Sequence, residues 1–489
     1  MSELPAWVDP VFDAAEARAA DTWAIEDQGV PPDDLMERAA LGLARVTAEV
    51  AGGAGPIRVV AGKGNNGGDG RVAARLLVED GHEVEVIDGT EPFDPERLHD
   101  SAAVVDALLG TGFEGAPREP LASAIAAINE HDAPVVACDV PSGVNASTGE
   151  IETEAVRAVA TATFHGSKVG LHVQPGKGCA GSVEVVGIGI PRGAPVPSAA
   201  GLISERVLEL YPHRERTGSK FDSGVVVVVG GSIGLTGAPT MAARSAQRAG
   251  AGYVQVAVPR PVQATVDLRL LEQMSRGLPD DDGFHTPAGV SDVEELAERA
   301  RAVVLGPGLG RAESAQEFAR AVAVAVESPL LVDADGLNAH AGRLELFRER
   351  EAPTVLTPHE AELGRLLEVD AGEVAAHRVR HVREAAERSG AVVLLKGDDT
   401  IVAEPGGPLA ISRGGTPALA TAGTGDVLSG LIGALLAKRL GALEAASLGV
   451  LAHALAARHA AGRVGADHVM AGDVIEGLPW GLTLHERQR

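Results

Sequence analysis

Aromatic residues make up only 3% of this 489-residue chain, and cysteine occurs just twice, at Cys138 and Cys179. A core so poor in rings must be built from Ala, Val and Leu, which suits α/β layers better than an aromatic-rich β-sandwich. Two cysteines supply neither a disulfide framework nor a thiolate zinc site. Long apolar runs are missing as well. The longest are strand-length, such as Val225 to Val229, far short of the ~20 residues a membrane helix needs. The first residues include Glu3 and Asp9 and no basic region ahead of an apolar run, so no signal peptide is expected. The chain reads as cytoplasmic and independent of membranes.

Positive charge is also scarce. Lys and Arg total 42 against 68 Asp and Glu, a net charge of −26. Such a surface repels a phosphate backbone, so nucleic acid is not an expected partner. Lysine occurs only at Lys63, Lys168, Lys177, Lys220, Lys396 and Lys438. Abundant acid with little lysine fits a protein kept soluble in concentrated salt, where screening removes self-repulsion. That is a hypothesis, motivated by composition and testable by melting against KCl. The scarcity also makes each lysine informative.

Hydrophobic residues make up 45% of the chain and charged residues 22%, the balance of a globular protein. Its length predicts at least two domains, each with its own core. Residues 13 to 50 read as helical, with a start at Asp33-Asp34 behind Pro31-Pro32. Strands are then predicted at 57–61, 83–87, 102–108, 134–138, 160–164 and 182–186, with helices between several of them. Pro191 to Ser198 is the best linker candidate. After it the rhythm restarts, with strands at 225–229, 253–258, 302–305, 330–332, 354–356 and 392–395. This alternation predicts two doubly wound α/β/α domains, 1–197 and 198–489, without a residue-level repeat between them. Ligands of such sheets bind at the carboxyl ends of the strands, where the unusual loops fall.

Two glycine-rich runs stand out. Asn65-Asn66-Gly67-Gly68-Asp69-Gly70 joins a buried strand to an apolar helix, offering backbone donors for phosphate and side-chain oxygens for a hard cation. The bland alternative is a surface turn of turn-forming residues. Asn66, Asp106 and Ser142 together offer oxygens to a monovalent or divalent cation, and Asp139 suits acid/base work. Singly, each also suits a turn or a helix cap. The second run, Thr421-Ala422-Gly423-Thr424-Gly425-Asp426, opens a helix whose Val427, Leu428, Leu431, Ile432 and Leu435 form a core stripe. Its start favours a phosphate. A carboxylate is unwelcome beside one, which points Asp426 towards proton or metal chemistry. The plain alternative is an ordinary helix N-terminus with Asp in its first turn.

The first half resembles the NAD(P)H-hydrate epimerase family (the YjeF N-terminal domain), through Gly64 to Gly70, Asp106 to Gly112, Asp139-Val140-Pro141-Ser142-Gly143 and Lys168-Val169-Gly170. The resemblance implies that Asn65, Asn66, Gly67, Gly68 and Asp69, with Gly110, Thr111, Gly112, Phe113, Glu114, Gly115 and Ala116, hold a hydrated dinucleotide. It implies potassium at Asn66, Asp106 and Ser142, and a substrate contact from Asp139, which handles protons with Lys168 as C6 inverts. The second half is similar to the nucleotide-dependent NAD(P)H-hydrate dehydratases, which have a ribokinase-like fold. The matching residues are Lys220, Gly230-Gly231-Ser232, Gly237-Ala238-Pro239, Gly306-Pro307-Gly308, Asp333 to Gly336, Leu356 to His359, Lys396 to Thr400 and Gly423 to Asp426. Here the resemblance assigns Ala238, Gly308, His359 and Asp426 to the hydrate. Lys396, Gly397, Asp398, Asp399, Thr400 and Gly425 go to the adenine nucleotide, ADP with Mg2+, and Asp426 is the base. Glu360-Ala361 departs from the family's usual Pro-Gly, and Ala422 from its usual Gly.

The implied activity is nicotinamide nucleotide repair. R and S hydrates of NADH and NADPH interconvert, and the S epimer is dehydrated with ADP, giving AMP and phosphate. A homo-oligomer is expected. Two other readings stay open on the residues: a small-molecule kinase of the ribokinase superfamily, and a first half that binds a protein or senses a dinucleotide without catalysis.

Overall fold

The structure, a computed structural model, describes residues 4–53, 55–191 and 193–483; Arg192 of the expected linker lies outside them. The chain opens with strand β1 (Val8–Val11), then helices Ala14–Glu26 and Pro32–Ala51. The second helix carries Pro at its start and Asp33 and Asp34 in its first turn, where acid opposes the positive end of the dipole.

The first unit is a six-stranded sheet of β2 (Ile57–Ala61), β3 (Val84–Asp88), β4 (Ala103–Ala107), β5 (Val135–Cys138), β6 (Ala160–Phe164) and β7 (Ser182–Val186). The order is β3-β2-β4-β5-β6-β7, with every pair parallel. Apolar side chains cover both faces: Ala40, Leu43, Val59 and Val105 on one, Val60, Val104, Ile125 and Ile128 on the other.

The second unit adds β8 (Ala200–Ile203), β9 (Val225–Val229), β10 (Tyr253–Pro259), β11 (Met274–Leu278), a hairpin of β12 (Asp280–Asp281) and β13 (Phe284–His285), β14 (Ala302–Leu305), β15 (Leu330–Val332), β16 (Thr354–Leu356), β17 (Val392–Leu395), β18 (Ile401–Ala403) and β19 (Leu409–Ile411). Their sheet runs β1-β8-β19-β18-β17-β16-β15-β14-β9-β10-β11. From β17 to β11 all neighbours are parallel. The five valines of β9 show how the layers form. Val226 and Val228 enter a core under helices Gly237–Arg248 and Thr424–Ala437, while Val225, Val227 and Val229 enter the opposite core with Phe318 and Phe347.

The first strand crosses the expected division at 197/198. β1 pairs antiparallel with β8, Val8 opposite Ile203 and Val11 opposite Ala200. Trp7 packs into the second unit's core, and Arg206 donates to Asp9 at 2.7 Å. Residues 8–11 therefore belong structurally to the second sheet, and Leu4 and Trp7 pack with its core. The expected linker is also pinned at its end, since Ser198 Oγ donates to the Val11 carbonyl at 2.5 Å.

Candidate active sites

In the first unit the strand ends build one wall of a cavity of about 810 Å³, and helix Ala14–Glu26 lies along it. The run expected as a loop is a helix start. Helix Asn65–Glu79 begins at Asn65, with Gly64 as its cap; Gly68 N makes the first intrahelical bond, to the Gly64 carbonyl at 3.0 Å, and the amides of Asn65 to Gly67 precede it without a helical partner. Gly67 is required sterically: a Cβ there would lie 2.0 Å from the Gly62 carbonyl oxygen. Asn65, Asn66, Asp69, Gly110, Thr111, Gly112, Phe113, Asp139 and Lys168 all line the cavity; Gly67, Gly68, Glu114, Gly115 and Ala116 do not.

Asp139 and Lys168 form the site's ion pair. Lys168, only 3% exposed, donates Nζ to Asp139 Oδ1 at 2.5 Å, to Thr163 Oγ1 at 3.0 Å and to the Phe164 carbonyl at 2.9 Å. Thr111 Oγ1 donates to the other carboxylate oxygen. Burial pushes the Asp139 carboxyl up, but the Lys168 charge and these hydrogen bonds bring it net below its usual range. Its backbone is left-handed, φ 64°, a strained state for a non-glycine residue. Asp69 is different: burial, with the charges of Asp139 and Asp21, raises it to about 7. Asp21 and Arg18, unremarked in the sequence, face the same cavity from helix Ala14–Glu26. Burial raises Asp21 too, against the pull of Lys168.

Asp106 is wholly buried at the end of β4. It accepts from Ser142 Oγ at 2.6 Å, Ser142 N at 2.8 Å and Leu108 N at 3.3 Å, and none of these donors is cationic. Burial raises it to about 6 against those bonds. Asn66 Nδ2 donates to the Leu109 carbonyl at 2.8 Å, which leaves its amide oxygen for another partner. A buried carboxylate, an amide oxygen and a hydroxyl, with no balancing ammonium, suit a hard cation such as potassium.

In the second unit, β9, β14, β15, β16 and β17 end on one edge, followed in turn by Gly230-Gly231, Gly306 to Gly310, Asp333 to Asp335, Thr357 to His359 and Lys396 to Thr400. Over them stands helix Thr424–Ala437, capped by Gly423 at φ 91°. Gly430 fixes that helix in place, because a Cβ would lie 2.0 Å from the Ala242 carbonyl of helix Gly237–Arg248. Ser245 Oγ adds a bond to the Val427 carbonyl at 2.5 Å. Among the described non-glycine residues with positive φ, Ala422 is not one, so its methyl is tolerated there.

Lys396 Nζ pairs with Asp333 Oδ1 at 2.8 Å, and Ser429 Oγ donates to Asp333 Oδ2 at 2.6 Å. The space before the helix start is open: a Cβ on Gly425 would meet only Lys396 Nζ, at 3.9 Å. Asp426, in the first turn, is raised to about 7 by burial and by Asp333, partly offset by Lys396. A carboxyl raised towards neutrality beside an open helix start and one fixed ammonium has the properties that general-base work next to an anion requires. Among the described residues no cluster of three or more His, Cys, Asp or Glu is arranged to hold a metal. Mg2+ commonly binds through substrate phosphates plus one or two carboxylates, so here the nucleotide itself would bring most of its ligands.

Some expected residues also have structural work. His359 caps helix Glu360–Leu367, its Nδ1 accepting from Ala361 N at 3.1 Å. Gly308 has φ 67°, and a Cβ would lie 2.5 Å from the Leu235 carbonyl. Glu360, at the family departure, accepts a bond from the buried Arg378.

The fold and its two strand-edge sites define a two-domain α/β enzyme for phosphate-bearing ligands. A family model described as NAD(P)H-hydrate dehydratase matches residues 226–479, and one described as YjeF-related protein N-terminus matches 32–99 and 88–170. The chain is 40% identical over 463 residues to the bifunctional NAD(P)H-hydrate repair enzyme Nnr of Salinibacter ruber, covering 83% of this chain and 84% of that one. It is 36% identical to the Moorella thermoacetica enzyme of that name, covering 96% of each. Among solved structures, the ADP/ATP-dependent NAD(P)H-hydrate dehydratase of Bacillus subtilis, co-crystallised with ATP and Mg2+, aligns with TM-score 0.51 and 28% identity over 58% of this chain and 97% of its own. The chain belongs to the family of bifunctional NAD(P)H-hydrate repair enzymes.

Proposed function

We propose that the cavity at Asp139 and Lys168 epimerises the R and S hydrates of NADH and NADPH, and that the site at Asp426 dehydrates the S epimer with ADP. The hydrated carbon C6 is bonded to both the ring nitrogen and a hydroxyl. When that hydroxyl is protonated it leaves as water, pushed by the nitrogen lone pair. Water returning to the other face inverts the centre. Lys168 and Asp139 provide a proton donor and an acceptor in hydrogen-bonding contact. Potassium held by Asn66, Asp106 and Ser142 would balance the buried Asp106 carboxylate and stiffen the neighbouring loop.

In the second site Asp426 takes the proton of the C6 hydroxyl as its oxygen attacks the terminal phosphorus of ADP, and AMP leaves. Lys396 and the amides at the start of helix Thr424–Ala437 hold the transferring charge. The C6–O bond then breaks with phosphate as leaving group, a proton is lost from C5, and the dihydronicotinamide is restored. Mg2+, arriving with the nucleotide, would supply charge neutralisation at its phosphates. The observation that carries this reading is the base at Asp426 beside an open helix start, with Lys396 across from it. A cytoplasmic location fits these reactants.

The test is to incubate the protein with hydrated NADH and ADP and follow the dihydronicotinamide absorbance. Recovery that requires ADP, with AMP and phosphate formed in equal amounts, is expected. Phosphorylation of an unrelated small alcohol without recovery would instead favour a kinase.

A further inference from the structure

Of the six lysines, Lys63 and Lys168 line the first cavity and Lys396 stands in the second site. Lys220 lies over the rings of Phe221 and Tyr253, and Lys438 over Tyr211. Lys177 has no part in either reaction as derived. It belongs to the first half, yet its ammonium pairs with Asp398 Oδ2 at 2.5 Å and bonds the Asp398 carbonyl at 3.3 Å. Three residues earlier, the Gln174 amide donates to Asp399 Oδ2 at 2.8 Å.

Both acceptors lie in the loop Lys396–Thr400. Asp399 is 1% exposed and forms an ion pair at 2.9 Å with Arg378 Nε, itself 1% exposed. Arg378 also donates to the Lys396 carbonyl at 3.1 Å. The loop thus carries two carboxylates beside a site for a polyanion, each neutralised by a cation outside the loop. One of those cations comes from the first half. The segment that delivers it is well fixed: Gly176 N donates to the Gly149 carbonyl at 2.8 Å, and Lys177 N to the Val173 carbonyl at 2.8 Å. Beside Arg378 the same regions also approach closely, with His377 Nδ1 at 3.0 Å from Glu150 Oε1.

We propose that the first half completes the nucleotide site of the second. Lys177 is a positioning residue for dehydration: it neutralises Asp398 and, with the Gln174 amide, holds the loop Lys396–Thr400 in its nucleotide-binding shape. The inference rests on the assignment of that loop to the adenine nucleotide. Without Lys177 the Asp398 charge is released next to the diphosphate, and ADP is the ligand that should register the loss.

The experiment uses the full chain with Lys177→Met, Lys177→Arg and Lys396→Ala, measuring KM for ADP, KM for the hydrate, kcat and the rate of epimer exchange. Loss of this ion pair, whose Lys177 end is largely covered and whose Asp398 end is half exposed, is expected to raise KM for ADP by roughly 3- to 5-fold in Lys177→Met. kcat, KM for the hydrate and epimer exchange should stay within about twofold of the unaltered protein, and Lys177→Arg should restore KM for ADP. Unchanged KM for ADP in Lys177→Met, with a raised value in Lys396→Ala, overturns the proposal alone. Unchanged KM for ADP in Lys396→Ala overturns the nucleotide assignment beneath it. Equal rises in both KM values in Lys177→Met would mark general loosening and also overturn it.

Discussion

Replacing Asp426 by Asn keeps the size of the side chain and removes its ability to take a proton. Dehydration should fall by roughly 10²- to 10⁴-fold, the usual contribution of a general base. Epimer exchange should be unchanged, because it belongs to the other sheet. The fold should survive. Burial and Asp333 raise Asp426 from 3.8 to about 7, so the folded state binds this proton more tightly than the unfolded chain. The stabilisation this provides is complete below the unfolded value and is lost as pH rises through the folded one. Near pH 8 the native protein therefore carries an ionised, crowded carboxylate. A shift of that size corresponds to ~4 kcal/mol undiscounted; for a carboxyl that keeps some contact with water, ~1–2 kcal/mol is the better figure. Asn avoids that cost, so Tm near pH 8 should be equal or a few degrees higher, and the difference should shrink towards about pH 4. In the unaltered protein, kcat/KM for dehydration should rise with pH through about 7 and then level off. Calorimetry and the absorbance assay, run on the same preparations, check both halves of the argument. Loss of both activities in a folded Asp426→Asn protein would refute the division of labour, and near-normal dehydration would refute the base.

Two further outcomes are expected. Asp106→Asn should abolish the dependence of epimer exchange on potassium and slow it by roughly 10- to 100-fold while leaving dehydration within about twofold; comparing KCl with a tetraalkylammonium chloride reads this directly. The net charge of −26 predicts that Tm rises as KCl is added, and a Tm that peaks at low salt would sink the high-salt hypothesis.

Most of the parallel strands were legible because they are short apolar runs close to Gly, Pro or Asp; β8 and β11 were missed, and β11 carries Ser275, Arg276 and Gly277. The runs at 302–305, 330–332 and 392–395 coincide with the strands observed. The strand at 8–11 was not. It has four residues with Pro10 inside, a pattern tolerated only at a sheet edge, and its partner lies about 190 residues away. Asp21 was invisible for a related reason. On its own helix it reads as one more polar position, and only the placement of that helix over the cavity brings it near Lys168. Motif residues such as Asn66 and Asp426 could be found because glycine spacing marks a helix start. The spacing did not reveal that Asp398 and Asp399 are engaged by Lys177 and Arg378, since those partners come from distant parts of the chain.

The stitch between β1 and β8 bears on the order in which the molecule is made. Val8 to Val11 leave the ribosome well before their partner at 200–203, which follows about 190 residues later. β8 in turn borders β19, which ends only at Ile411. At about 5–20 residues per second, the leading strand waits tens of seconds for the sheet it joins. Meanwhile the six-stranded unit behind it has all its strands and can close. Closing the seam is then one of the late events of synthesis, and a chain released early carries its first strand unpaired, an edge open to wrong partners. Once β8 is in place one side of β1 is paired, so the seam forms only when the start of the second unit has followed the whole of the first.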